Sequence, residues 1–388
     1  MTLLYTEIEE ELRAAVRGLL ADRCPPAAVL KRIESEPYRG ELLSSASSVY
    51  DLDLWKTLAG EIGVAGLLIP EEYGGAGASA SEAAVVLEEL GRGVAPVPYF
   101  TSAVLATRAL LQTVAAEQDR EPPQTVAADR ARELLGRLAE GRATAALAVS
   151  FAASPYRPER GSAVRAGDDG TRLSGSVSGV AGADVAGADV AGADVADVLL
   201  VPVDGTLYLV EGASVEVVPS LDLTRPVATV TFDDALAVPL GPVDLAEVLR
   251  FGAGLLASEQ LGVAEWCLDT TLAYVKERHQ FARPVGSFQA IKHRLADLWL
   301  DVVRARAAAR GAVAEGSAVS AAVAQAWNGG VAVHTAEEAL QLHGGIGMTW
   351  EHPVHLYLKR AKATEIALGT PGDHREALAS LAGVPGPE

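Results

Sequence analysis

The hydrophobic period of this chain changes twice, and those two changes limit the folds open to it. Up to about residue 120, apolar residues recur at helical spacing between Gly/Pro turns. Ile8, Leu12, Val16 and Leu19 share one helical face, and Thr6 with Glu9 spells a capping box. A second helix start falls at Ser79 with Glu82 and stops at Gly91 and Gly93. Between them, residues 69–77 (IPEEYGGAG) read as a loop. From about Thr144 the pattern turns to short apolar or alternating runs bounded by Gly, Pro and Asp: TAALAVS, DVLLVPV, TLYLVEG, VEVVPS and VATVTFDD. These are predicted as antiparallel strands of a small barrel or sandwich. From about Leu245 the helical period returns. Leu261, Leu268, Leu272 and Val275 form one stripe, and Phe288, Ile291, Leu295, Leu298, Val302 and Ala305 form the next. The expected architecture is therefore mainly α with a central β domain: 1–142 all-helical, 143–242 β, and 243–388 a helical bundle.

Charge narrows the partners. With 32 basic and 51 acidic side chains among 388 residues, the chain carries a formal charge of −19. Such a surface repels phosphate backbones and anionic bilayers, so neither nucleic acid nor membrane is expected as a partner. Cys24 and Cys267 are far apart and in no metal-ligand spacing, which fits idle thiols in a reducing, cytoplasmic setting. The acidic amphipathic start MTLLYTEIEEELRAAV lacks the basic-then-apolar pattern of a secretory signal. Residues 316–333 are uncharged but small, interrupted by Gln325 and Asn328, and read as a buried helix rather than a membrane span. The repeat VAGAD-VAGAD-VAGAD, residues 180–194, has a five-residue period that matches neither helix nor strand, so an exposed, expanded loop is expected. Its aspartates lack the denser oxygen set that calcium needs, and no metal site is expected.

Three motifs in order carry a family resemblance. Pro70-Glu71-Glu72-Tyr73-Gly74-Gly75-Ala76-Gly77 resembles the P-E-x-Y-G-G-x-G turn of acyl-CoA dehydrogenases. Residues 274–302 are similar to that family's R-x-x-F-G…P-I…F-Q…K…L-A-D-M helix pair, and residues 339–370 to its Q…G-G-x-G…E-x-P…R-D-A…I-x-E-G-T ending. The resemblance implies an N-terminal helical domain, a middle β-barrel, a C-terminal four-helix bundle, and FAD as cofactor. Arg278, followed by Phe281, resembles the family's cofactor arginine; a permanently charged guanidinium can give a phosphate two bonds. A solvated arginine favouring its own helix dipole is the alternative. Gln280 and Gln289 are candidates for cofactor or subunit contacts. Gln341, Gly344 and Gly345 resemble the segment that approaches the flavin of a neighbouring subunit, where missing side chains permit close approach; a helix C-cap would use the same glycines. His343 between them would serve equally as a packing residue. Thr370 is a further candidate on the flavin side.

The departures concern chemistry. The family removes an α-proton from an acyl-CoA and passes hydride from the β-carbon to flavin, which requires a base beside the α-carbon and donors at the thioester carbonyl. Most members place that base at the Glu of E-G-T; here Leu368 stands there. Other members place it on the long helix opening the C-terminal domain, and the matching stretch Phe251-Gly252-Ala253-Gly254 has no carboxylate. Glu259, about two turns on, reads as a helix-surface or interface charge. The usual T-E-P-x-x-G-S-D loop is replaced by Ser150-Phe151-Ala152-Ala153-Ser154-Pro155-Tyr156, and the W-I-T-N-G strand by Leu173-Ser174-Gly175-Ser176-Val177-Ser178-Gly179. No catalytic residue is assigned. The resemblance points to the partner subunit of a heteromeric, tetrameric dehydrogenase, with acyl-CoA as substrate, a sister chain supplying the base, and an electron-transfer flavoprotein as acceptor. A complete homomeric enzyme with a displaced base, or a non-catalytic flavin- or CoA-binding scaffold, are the alternatives.

Overall fold

A computed structural model describes residues 3–35, 49–118, 126–183 and 198–383. Helices α1 (Glu7–Arg23), α2 (Pro26–Ser35), α3 (Leu52–Lys56), α4 (Ala80–Gly93), α5 (Thr107–Gln118) and α6 (Val126–Ala139) precede the sheet. Both anticipated capping boxes form, at Thr6/Glu9 and at Ser79/Glu82. The stripe on α1 is displaced from the expected one. Ile8 is 70% exposed, while Val16 and Leu20 are buried. Arg13 and Arg17 reach Glu88 and Glu89 of α4, and these ion pairs rotate the helix until Glu9, Arg13, Val16 and Leu20 face inward.

Strands β1 (Ala145–Leu147), β2 (Arg165–Ala166), β3 (Arg172–Ala181), β4 (Val198–Val203), β5 (Thr206–Val210), β6 (Ser214–Val218) and β7 (Val227–Pro242) lie in the order β1-β4-β5-β7-β3-β2, with β6 also on β7. The first half of β7 pairs with β3 and β6 and its second half with β5, so one long strand joins two half-sheets around a core that includes Leu173, Val177, Val201, Val230 and Phe232. The pairing is not uniformly antiparallel as expected: β1 and β4 are parallel. The excursion through β2 and β3 lies between them, and a long connection is what a parallel pair needs. Residues 184–194 of the VAGAD repeat lie outside the described residues.

After the sheet come α7 (Leu245–Glu277), a short hairpin of β8 (His279–Gln280) and β9 (Arg283–Pro284), then α8 (Gln289–Glu315), α9 (Ala318–His343), α10 (Val354–Ile366) and α11 (Pro371–Leu381). Helices α7 to α10 pack as a bundle. Leu295, Leu298, Val302 and Ala305 of α8 are buried as their spacing required, as are Leu261, Leu268 and Val275 of α7, whereas Leu272 is 38% exposed. The uncharged stretch 316–333 lies within and just before α9. Its two polar interruptions donate inside the bundle: Gln325 Nε2 to the Ala253 carbonyl (3.0 Å) and Asn328 Nδ2 to those of Ala257 (2.9 Å) and Ala305 (3.0 Å), while Asn328 Oδ1 is buried without a partner among the described residues. No helix among the described residues is long and apolar enough to cross a membrane. Cys24 and Cys267 are both buried.

Helix α4 crosses α7 at a reciprocal pair of glycines. A Cβ on Gly91 would lie 2.2 Å from the Glu259 carbonyl oxygen, and one on Gly262 would lie 1.9 Å from that of Glu88. Each glycine lets the partner backbone into van der Waals range. The N-terminal helices are thereby clamped onto the bundle, and the crevice between them and the sheet acquires its walls.

Candidate functional site

The two positions where a base was sought meet in space. Leu368 sits in the turn between α10 and α11, fully buried, with a left-handed φ of 53°. Its N–H donates to the Phe151 carbonyl (2.9 Å). Its side chain shares a small cavity with Leu105, Leu147, Val149 and Phe151, and only about 10 Å³ of that cavity is free, at most enough for one water. On the opposite wall a Cβ added to Gly252 would fall 2.4 Å from Leu105 Cδ2 and 3.1 Å from Leu368 Cδ1. A side chain at position 252 would therefore have to displace the ends of Leu105 and Leu368, and position 368 is filled by leucine. Phe151, from the segment replacing the T-E-P loop, packs edge-on against Phe100 at 6.2 Å. Apart from the hydroxyl residues Thr101 and Ser150, the crevice is lined by hydrocarbon, and no carboxylate lines it where proton transfer would need one.

The nearest polar groups are committed elsewhere. His374 is 1% exposed. Its Nε2 lies 3.0 Å from the Leu368 carbonyl, which can only accept, so Nε2 carries the proton. Nδ1 is then a bare acceptor for the Tyr156 hydroxyl at 3.1 Å. Burial lowers the imidazole pKa below its ordinary value, against the opposing effect of the Leu368 bond. Both nitrogens are used in holding the turn.

Glu259 overturns the surface-charge expectation. It is 1% exposed, on the side of α7 that faces α10 and the loop between β6 and β7. Arg225 grips it with two bonds (2.9 and 2.5 Å), and Arg360 of α10 adds a third (3.2 Å). Arg360 also bonds Asp222 (2.5 Å) and Thr224 (2.5 Å). Burial raises the Glu259 pKa, but the two guanidinium groups outweigh it and hold the carboxyl below its usual range. Such a carboxylate is saturated with donors and is no proton acceptor. Its helical spacing gave no sign of this, because the partners lie 34 and 101 residues away. Arg225 also lies over the rings of Phe100 and Phe151 (5.6 and 5.5 Å), so the network braces the floor of the filled crevice.

A different surface gathers most of the other candidates. Arg278 caps the C-terminus of α7, exposed, with no side-chain hydrogen bond or ion pair among the described residues. Gln280 follows in β8, and Phe281 and Ala282 turn the hairpin with φ of 52° and 58°. Two successive non-glycine residues in the left-handed region cost roughly 1–2 kcal/mol each, and Phe281 is 86% exposed at the tip. Gln289, the first residue of α8, is exposed as well. From the other side, α9 ends at exposed Gln341 and at Gly344 and Gly345, around which no atom lies within 4 Å of a would-be Cβ. His343 is a packing residue: it is 2% exposed, its Nδ1 donates to the Ala339 carbonyl (2.7 Å), and its ring stacks on Tyr274 at 4.6 Å. Tyr274 lies one turn before Arg278, whose N–H bonds its carbonyl. That stack joins the ends of α7 and α9 and sets the guanidinium and the glycines on one rim. Thr370 stands apart. It is the N-cap of α11, bonded reciprocally to Asp373, beside the filled turn.

Residues 6–121 match the family model "Acyl-CoA dehydrogenase, N-terminal domain" and residues 243–381 match "Acyl-CoA dehydrogenase, C-terminal domain". Acyl-CoA dehydrogenase IpdE2 of Mycolicibacterium smegmatis is 35% identical over 97% of this chain and 98% of its own. Among solved structures, the ChsE4-ChsE5 complex from Mycobacterium tuberculosis contains a chain 28% identical, with a TM-score of 0.79 and full coverage of both chains. A variant of the Tcur3481-Tcur3483 steroid ACAD aligns at 29% identity and a TM-score of 0.77 over 97% of this chain and 98% of that one.

Proposed function

This chain belongs to the acyl-CoA dehydrogenase family, FAD-dependent oxidoreductases acting on acyl-CoA, and from that premise we propose that it is the base-less partner subunit of a heteromeric member. The observation that carries the reading is the division between its two surfaces. The rim of Arg278, Gln280, Phe281, Gln289, Gln341, Gly344 and Gly345 is exposed and open, suited to a dinucleotide lying on a neighbouring subunit. The crevice at Leu368 and Gly252 is nearly filled and is lined by no carboxylate. The residues present therefore fit the phosphate-bearing arm of FAD approached from outside. They do not fit a flavin ring and an acyl chain inside this chain's own crevice.

In this arrangement Arg278 neutralises pyrophosphate charge with a bidentate guanidinium, Gln341 supplies an amide, and Gly344 and Gly345 let backbone N–H groups come close. Phe281, held out on its strained turn, covers the cofactor's edge from water. FAD, when bound, supplies the hydride acceptor for the substrate β-carbon. The sister chain supplies the carboxylate that takes the α-proton and the walls of the acyl pocket, and electrons leave to an electron-transfer flavoprotein. Relatives include a steroid ACAD, and a bulky ring-bearing acyl-CoA is the substrate class we favour by that analogy.

Co-expression with a base-carrying sister chain tests this. The chain purified alone should be colourless and inactive with a dye acceptor, and the co-purified complex should be yellow and should oxidise acyl-CoA. Turnover by the lone chain would favour a homomeric enzyme. A colourless complex, inactive with every sister, would favour a scaffold.

A further inference from the structure

Away from both surfaces, a cleft of about 230 Å³ opens where α1, α4, α7 and α8 meet. Four guanidinium groups line it: Arg13 and Arg17 of α1, Arg92 of α4 and Arg306 of α8. The charges are layered. The carboxylates of Glu88, Glu89 and Glu265 lie beneath, at most 5% exposed, and the arginine side chains lie above them, Arg17 at 47% and Arg306 at 38%. Asp269 (62%), paired with Arg92, is the one acid on the outer wall. The buried acids hold the arginines in place without using all their donors. Among the described residues, Arg17 Nη1 and Arg306 Nη1 have no partner, because Nε and Nη2 of each make the carboxylate bonds. The Nε of Arg92 is likewise unengaged, since its bonds to Glu265 and Asp269 use Nη1 and Nη2. Beside these donors Trp299, 56% exposed, forms an aromatic wall with Val302 and Val303.

We propose that this cleft is a second ligand site, taking a small phosphorylated molecule with an aromatic ring, of the nucleoside monophosphate class. On a chain of charge −19, the unengaged N–H donors of Arg17, Arg306 and Arg92, held in place by acids that already balance the guanidinium charges, are where a phosphate finds charge-assisted bonds. The indole face accepts the ring. The volume suits one such molecule rather than a coenzyme. The proposal does not depend on the cofactor rim, and its test separates the two.

Calorimetric titration of the full-length chain uses AMP, inorganic phosphate and adenosine as probes. AMP should bind saturably, phosphate should compete, adenosine should bind at least about tenfold more weakly, and affinity should fall with added salt. Arg17→Gln and Arg306→Gln should each weaken AMP by about tenfold or more; Glu89 and Glu265 keep Arg13 and Arg92 in these variants, so the fold survives. Trp299→Ala, at an exposed position, should weaken AMP and spare phosphate, and it decides the matter if either arginine variant melts early. Arg278→Ala should change nothing here. The idea is overturned if neither AMP nor phosphate saturates, if Arg278→Ala abolishes binding, or if Trp299→Ala leaves AMP unaffected.

Discussion

At position 368 the fold has accepted a leucine where backbone geometry favours glycine, and the physics of that one residue separates two ideas about the site. Its φ of 53° costs roughly 1–2 kcal/mol, while full burial of a leucine contributes about 1.5–3 kcal/mol; packing wins. Leu368→Glu, which restores the family's residue type, is therefore expected to destabilise the chain by on the order of 3–5 kcal/mol and to confer no turnover. A carboxylate there would enter a cavity with about 10 Å³ to spare. Chemical denaturation and a dye-reduction assay read both halves, and measurable activity in that variant would show that the crevice can open. Arg278 is the contrasting case. Arg278→Ala should leave stability within about 0.5 kcal/mol, as expected for an exposed side chain without partners, yet strip flavin from the complex with a sister chain. A visible spectrum of the co-purified variant decides it.

At the scale of elements, the α4–α7 crossing is the joint on which the other walls depend. A glycine-to-alanine change in an exposed helix interior gains about 1 kcal/mol. At Gly262 the added methyl would meet the Glu88 carbonyl at 1.9 Å, and overpacking of this kind costs typically 1–3 kcal/mol or more. Gly262→Ala should thus lower the unfolding midpoint, whereas Gly330→Ala on α9, where nothing lies within 4 Å, should raise it slightly. Equal effects from the two would contradict the close approach. The network of Arg225, Glu259, Arg360 and Asp222 acts at the same scale. It ties a loop of the β region to α7 and α10 through charges that would be costly if unpaired.

For the whole molecule, imidazoles that are buried (His343, His374) or half-buried (His352) set the acid limit. Burial, with the neighbouring rings of His343 and His355, lowers His352 from 6.5 to about 4. Burial also lowers His343 and His374. A histidine depressed in the folded state takes up protons more readily when unfolded. Stability is therefore full above the unfolded value of about 6.5 and is lost as pH falls from there toward about 4. Glu259, held low by its arginines, acts in the same direction below the ordinary carboxylate pKa. The thermal midpoint should fall steadily over that window, and His352→Phe should flatten the slope. A midpoint independent of pH there would mean that these rings are not held neutral in the folded state.

Much of this protein is local in origin and was legible in its residues. Helical and strand periods, two capping boxes and the buried stripe of α8 depend on spacing and side-chain type alone, and the missing carboxylate at Leu368 was legible through the family resemblance. Spacing could not say which charges go inside. Glu259 looked like a surface residue because the arginines that neutralise it come from distant segments. Ile8 turned outward because ion pairs to α4, seventy-odd residues away, fixed the rotation of α1. Nor could spacing reveal that Gly252 and Leu368 close the same crevice, or that β1 lies parallel to β4. Periodicity is a property of neighbours along the chain. Burial, charge pairing and the filling of a cavity depend on contacts between segments, and those exist only once the chain has folded.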